Sequence, residues 1–307
     1  MAGDLKISII VPCFNMEQYV KKTIDSIISQ GYENLELIVV DGGSTDNTVE
    51  IIRDYDAYIT HFLCEPDEGQ YDAINKGFSL ATGDVVAWLN ADDLYFPWTL
   101  YSVNQIFLNH PDFLWICGTP SYTNDDMSGV KVCKKNGAKV STLIQDGAYR
   151  SDYLGFLQQE SMFWRKDLLD AAGYLALDYK LAADFEYWTR LAKHAELHLI
   201  DFPLACFRLR QNSRSVVQMT DYENEVKKVL EKIAAKKYWY SRLLEANIFT
   251  RYVCRIMIFR RVNVIQMNLN SRQLERFTQY RNVSNYLISE LFFEVVRIFK
   301  LTRKNVG

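Results

Sequence analysis

No two of the six cysteines (Cys13, Cys64, Cys117, Cys133, Cys206 and Cys254) are closely spaced. The spacing therefore indicates neither a zinc site nor a disulfide framework, and a reducing cytoplasm is the expected compartment. No stretch reaches the roughly 18 uncharged apolar residues that a membrane span needs. Residues 1–6 lack a secretory signal and lead straight into an apolar run. Asp41-Gly42-Gly43 is neither a Walker loop, since no Gly-Lys-Ser/Thr follows, nor the Gly-x-Gly-x-x-Gly of a dinucleotide site. Internal repeats and low-complexity segments are missing, as is any nucleic-acid recognition motif. What remains is 307 residues, enough for one large domain or one domain with an appendage.

The apolar pattern is that of alternating strands and helices. Residues 7–11 form a β-branched run closed by Pro12, and 35–40, 59–64 and 85–89 read as three further buried strands. Between them, Tyr19, Val20, Thr23, Ile24, Ile27 and Ile28 recur at helical spacing up to Gly31. Further helices are expected from about Asp46 and over 70–81. Such βαβ units predict a mostly parallel sheet. The regular pattern fades after about residue 110. Residues 113–118 are one more strand, 119–150 a hairpin-bearing insertion, 184–193 a helix and 197–200 a strand. Beyond residue 220 the pattern reads as helical. Net charge is only −3, yet residues 236–307 hold 14 Lys and Arg against 4 Glu and no Asp. A basic tail on an acidic body suggests a separate partner for the tail, such as an anionic membrane surface.

Polar residues collect where the strands end, and in an open α/β sheet ligands bind there. Pro12, Cys13 and Asn15 follow the first strand, where backbone can edge a planar base or ribose; taken alone, a plain strand-to-helix turn is the better reading of them. Asp41 closes the second strand, either as an acceptor for a pyrimidine imide or as the cap of a glycine turn. Asp72, Asn75 and Lys76 share one helical face, which suits a nucleotide or sugar and also a solvated Asp–Lys pair. Asp92 and Asp93 follow the fourth strand. Two adjacent carboxylates repel unless a cation lies beside them, so they read as a metal–diphosphate site or as a turn.

In this order and spacing, Ile9-Ile10-Val11-Pro12 through Asn15, Val39-Val40-Asp41-Gly42-Gly43-Ser44-Thr45-Asp46, Asp72-Ala73-Ile74-Asn75-Lys76-Gly77 and Asn90-Ala91-Asp92-Asp93 resemble the successive motifs of inverting family 2 glycosyltransferases. The resemblance covers about residues 5–215. It implies an α/β fold of the A-type glycosyltransferase kind, a single Rossmann-like nucleotide-sugar-binding domain whose mostly parallel sheet is flanked by helices, over residues 1–219. A helical, basic extension is expected over 220–307. The resemblance further implies a nucleotide-sugar donor, a UDP-sugar, and a divalent cation, Mn²⁺ or Mg²⁺. Asp41 then reads the uracil ring, Asp92 lies near the ribose and Asp93 ligates the metal. Gln159-Glu160-Ser161 resembles the acceptor-side segment, placing Glu160 on the diphosphate or acceptor side. Ala182-Ala183-Asp184-Phe185-Glu186 resembles the motif of the catalytic base, assigned to Asp184; Glu186, the rival, would point about 200° away on a helix. Phe207-Arg208-Leu209-Arg210 resembles the stretch that closes the donor pocket. Relatives often carry His at the position of Arg210, which cannot ligate a metal but can hold a phosphate.

The implied reaction is a single displacement onto a hydroxyl of a glycan or lipid-linked glycan, in cell-surface polysaccharide biosynthesis. A catalytically degenerate binding or assembly module is the alternative. A sugar-nucleotide pyrophosphorylase would need a glycine-rich, lysine-bearing loop near the N-terminus, which is absent. Two stretches of the tail suit interfacial amphipathic helices on the inner face of the membrane: Phe249, Tyr252, Val253, Ile256, Met257 and Phe259 with neighbouring arginines, and Phe292, Phe293, Val296 and Phe299. A helical cap on the domain or a homo-oligomer interface fits them as well.

Overall fold

The computed structural model describes residues 3–133, 139, 141–150, 154–210, 213, 217–233, 259–268 and 273–282, the last two segments as backbone only. The β-branched runs near the N-terminus form β1 (Ile7–Cys13), β2 (Leu35–Asp41), β3 (His61–Cys64) and β4 (Val85–Trp88). They pair in parallel in the order β4-β1-β2-β3. Successive residues of a strand face opposite sides of a sheet, and these strands are apolar on both. Ile10, Ile38, Val40, Val86 and Trp88 join one core, while Ile9, Val11, Leu37, Val39 and Ala87 join the other.

Helices cover both cores. The second core takes Val20, Ile24 and Ile27 of α1 (Val20–Ile28), Ile52 of α2 (Thr48–Arg53), and Leu100, Val103, Ile106 and Phe107 of α4 (Thr99–Asn109). The first core takes α3 (Gln70–Leu80), through Ile74 and Phe78. There Gly77 lets the helix backbone meet β1: an added Cβ would stand 2.8 Å from Cγ1 of Ile10 and nearer still to its Cγ2.

The second half of the chain completes the sheet and adds another. β6 (Trp115–Cys117) and β9 (Met162–Arg165) continue the main sheet beyond β4, with β9 antiparallel to both neighbours. The expected insertion hairpin is β7 (Ser121–Asn124) and β8 (Val130–Val132), followed by the short α5 (Ser141–Gln145). After α6 (Lys166–Ala172) come α7 (Ala183–His194) and β10 (Leu197–Ile200), which pairs with β6. β11 (Ala205–Leu209) lies parallel to β7 and antiparallel to β5 (Leu94–Tyr95). This second sheet brings the stretch after Asp93 beside the stretch containing Arg208.

One expectation about the tail needs correction. α8 (Met219–Ile233) is helical as expected, and its Val226 and Val229 are buried in the first core. Phe259–Asn268 (β12) and Gln273–Asn282 (β13) are strands, not helix. β12 pairs with β10 in parallel, and β13 pairs with β12 antiparallel over ten residue pairs. The β-branched run Val262, Val264, Ile265 favours the strand. The rest of the expected interfacial helices, 249–258 and 292–300, lies outside the described residues. Among the described residues no helix is long and apolar enough to cross a membrane.

Ala is the better helix former, by about 1 kcal/mol, but at residue 77 its methyl would overlap Ile10. We expect Gly77→Ala to destabilise by about 1–3 kcal/mol, read as a lower urea midpoint at unchanged slope; an unchanged or raised midpoint would show that the two elements can separate.

Candidate active site

A cavity of about 730 Å³ opens at the carboxyl ends of β1 and β4. Pro12, Cys13 and Gly42 line it at the ends of β1 and β2. The Cys13 thiol is pushed well up, first by burial and then by Asp41 and Asp92. Asn15 and Asp41, expected to touch the nucleotide, do not reach the wall. Asn15 adopts a left-handed backbone with φ of 53°. Its Oδ1 accepts the Thr45 N–H at 2.9 Å, and its own N–H donates to Ser44 Oγ at 2.8 Å. Asp41 is fully buried. It accepts the N–H groups of Gly43 and Ser44 at 3.0 and 2.8 Å and the Ser44 hydroxyl at 2.5 Å. Both side chains brace the paired loops, the turn role that their positions also allowed.

Asp72 and Lys76 are likewise off the wall. Asp72 accepts the Glu68 N–H at 3.1 Å, while Lys76 pairs with Asp72 at 3.4 Å and Glu65 at 3.0 Å. They hold the loop that precedes α3. That loop carries a wall residue the sequence reading missed, Asp67. Its carboxylate accepts the Gly69 N–H at 2.8 Å and lies so close to Gly42 that a Cβ there would collide with it. The signal was available in the acidic run beside Gly69, whose φ of 117° demands glycine.

The acid pair after β4 is split between the interior and the cavity wall. Asp93 is only 1% exposed; its oxygens accept the Arg208 backbone N–H at 3.0 Å and the Asn90 amide at 3.3 Å. Burial, then Asp92 and Glu160, raise its pKa well above the carboxylate range. Asp92, not Asp93, lines the cavity, in an ion pair with Arg210. The metal was expected on Asp93, but of the two acids only Asp92 stands on the cavity wall. Arg208 and Arg210 both stack over Tyr19, at 5.0 and 4.6 Å from the ring centroid, but only Arg210 reaches the wall. Glu160 is on the wall and 3% exposed. Burial, aided by Asp92, raises its pKa.

At the start of α7 stands Asp184, also on the wall. Its Oδ1 accepts the Phe185 N–H at 2.7 Å and the Tyr71 hydroxyl at 3.2 Å. Burial outweighs these bonds and raises its pKa to about 6. Glu186 is excluded as a rival, since it is absent from the wall and bound to Arg190 at 2.9 Å. An element beyond the motifs sets this corner. Glu225 of α8 accepts the N–H groups of Lys180, Leu181 and Ala182 at 3.0, 2.8 and 2.9 Å, fixing the chain that enters α7.

The cavity thus gathers six of the expected site residues: Pro12, Cys13, Asp92, Glu160, Asp184 and Arg210. Residues 8–156 match the family model described as glycosyl transferase family 2. A PGL/p-HBAD biosynthesis glycosyltransferase of Mycobacterium bovis (strain BCG / Pasteur 1173P2) is 32% identical over 187 residues, 59% of this chain and 67% of that protein. An uncharacterized glycosyltransferase of Nostoc sp. is 35% identical over 106 residues, 34% of this chain and 33% of its own length. The chain therefore spans about a third of that relative. In fold, S. aureus TarS 1-349 in complex with UDP is similar at a TM-score of 0.58 and 20% identity, over 76% of this chain and 66% of that one. The mannosyltransferase PcManGT of Pyrobaculum calidifontis, in complex with GDP-Man and Mn²⁺, is similar at 0.50 and 18% identity, over 82% and 79%. On the family model, the Mycobacterium relative and the α/β fold together, the chain belongs to glycosyl transferase family 2.

Proposed function

We propose that the protein transfers a sugar from a nucleoside diphosphate donor, a UDP-sugar, to an acceptor hydroxyl with inversion at the anomeric carbon. The observation that carries this reading is one cavity with a carboxylate–guanidinium pair, Asp92–Arg210, and a second carboxylate, Asp184, on its wall. The UDP and UDP-GlcNAc bound in the TarS structures support a uridine donor.

The residues present fit a divalent cation. Arg210 holds one oxygen of Asp92, and no described group bonds the other. No group of three or more His, Cys, Asp or Glu among the described residues is placed to hold an ion alone. An Mg²⁺-like ion bound through one or two carboxylates and completed by substrate phosphates suits such a site. When bound, Mn²⁺ or Mg²⁺ would offset charge on the diphosphate. Arg210 adds a fixed positive charge beside the leaving group. Asp184 accepts the proton of the acceptor hydroxyl as that oxygen forms its bond to the anomeric carbon. The bond from that carbon to the diphosphate oxygen breaks on the opposite face, and its electron pair leaves with the diphosphate. One displacement inverts the centre, so no nucleophile of the protein is consumed.

A glycan or lipid-linked glycan acceptor in polysaccharide biosynthesis suits the excess of Lys and Arg beyond residue 236, which would hold the protein on an anionic membrane surface. The full chain is then expected to float with vesicles containing anionic lipid, to stay behind with neutral ones, and to dissociate as salt screens the attraction. Equal recovery with both vesicle types would count against the membrane role.

Asp184→Asn should lower transfer by about 10²–10⁴-fold while UDP affinity, measured by calorimetry with Mn²⁺, stays within about twofold. Parallel loss of both would remove Asp184 from the base role. Because the base works only when ionised, kcat/KM should rise with pH and level off above about 6. A rate already flat from pH 5 would contradict the assignment.

A further inference from the structure

The short turn before β9, residues 158–161, carries an unusual group of open acceptors. Oε1 of Gln158, Oε1 of Gln159 and Oε1 of Glu160 are each buried and bonded by no described group, and all three residues line the cavity. Gln159 is 9% exposed and Glu160 3%. The Gln159 amide cannot be turned to relieve the deficit. Its Nε2 donates to the Trp88 carbonyl at 2.5 Å, and a carbonyl can only accept, so Oε1 must be the open end.

The protein shows elsewhere how it satisfies a buried carboxylate. Glu36, 1% exposed, accepts from the Ser8 hydroxyl at 2.5 Å and from the Thr82 N–H and hydroxyl at 2.7 and 2.6 Å, and pairs with Lys6 at 2.6 Å. Native chains leave few buried polar atoms unpaired, and each costs about 1–3 kcal/mol. Three in succession on a cavity wall call for a ligand rich in donors. Uracil offers one imide N–H and a diphosphate offers none, whereas a pyranose ring offers several hydroxyls.

The position identifies which sugar. Gln159 hangs from Trp88 at the end of β4, and Glu160 lies near enough to Asp92 to feel its charge. In the proposed reaction Asp92 serves the diphosphate, which joins a ribose with two free hydroxyls to the donor's hexose with more of them, and three open acceptors in a row suit the hexose. We infer that Gln158, Gln159 and Glu160 form the subsite that recognises the ring hydroxyls of the donor hexose, selecting a fully hydroxylated sugar over a deoxy one. This rests on the donor reading above. It moves Glu160 from the diphosphate or acceptor to the transferred sugar.

The test is calorimetric titration of the full chain, with Mn²⁺, by UDP, UDP-glucose, UDP-galactose and UDP-N-acetylglucosamine, then by single-deoxy analogues of the tightest of these. In the natural protein the best UDP-sugar should bind more tightly than UDP, and deletion of a contacted hydroxyl should weaken it by about tenfold. In Gln158→Leu and Glu160→Met the same deletion should cost less than about twofold, while UDP itself binds as before. Gln158 is half-buried and its Oε1 bonds no described group, so its variant removes no described hydrogen bond at that oxygen and remains informative should Glu160→Met fail to fold. An undiminished hydroxyl effect in the folded variants would overturn the subsite. So would a parallel loss of UDP affinity, which would return these residues to the diphosphate. Failure of every nucleotide to bind would instead overturn the donor reading, and this inference with it.

Discussion

A carboxylate removed from water must be bonded or must keep its proton, and the placement of Asp93 imposes that choice on everything around it. Its main partner is the backbone N–H of Arg208, 115 residues away in sequence. That bond is available because β5, starting at the next residue, pairs antiparallel with β11. Side chains two apart on a strand share a face. The register that brings the Arg208 amide to Asp93 therefore also puts Arg208 and Arg210 on one side, both over the Tyr19 ring. Arg210 can then meet Asp92 at the cavity wall. The buried acid fixes the crossing of the two strands, and the acid on the cavity wall inherits an aligned cation.

The other end of the cavity is built from later sequence. α7 starts at Ala183, and its approach is held by Glu225 from α8 through three backbone bonds. Tyr71 at the start of α3 reaches the same corner, donating to the Leu181 carbonyl at 2.7 Å and to Asp184 at 3.2 Å. The family model ends at residue 156, before Glu160, Asp184, Arg210 and Glu225. The first half of the chain forms the sheet whose strand ends open the cavity, and the second half supplies most of its charged wall.

Much of this was legible in the residues. The four N-terminal strands lie within about two residues of the apolar runs that predicted them; β1, β2 and β4 are buried on both faces, and such strands read as continuous apolar runs. β9 and β11 escaped notice, being four and five residues long and written in motif residues that the eye assigns to chemistry. Motifs name the loop at a site and not the side chain that faces it. Asn15, Asp41, Asp72 and Lys76 lie in the right loops but are consumed within them, whereas Asp67, one loop residue among several acids, reaches the wall. Which of two adjacent acids faces a ligand depends on strand pairing far along the chain, so Asp92 and Asp93 could not be ordered locally. The β12–β13 hairpin went unread because interleaved arginines gave its apolar residues an approximate helical spacing.

Burial has opposite consequences for the carboxyls of this protein, and the difference lies in their partners. Glu36, with a full set of donors, is held down to about 2. Asp184, with two, is raised to about 6, and Glu160, whose Oε1 has none, is raised too. Relative to an unfolded chain, where an Asp titrates near 3.8, the folded protein holds the Asp184 proton more tightly. It therefore loses stability as pH rises from about 4 to about 6, while Glu36 contributes stability above the ordinary Glu range and loses it only as pH falls toward about 2. Glu36 anchors the sheet, and its donors serve folding alone. In the reading proposed above, the donors missing at Asp184 and Glu160 would leave one carboxyl to take a proton and another to bond a hydroxyl, at a cost in stability that a bound substrate can offset.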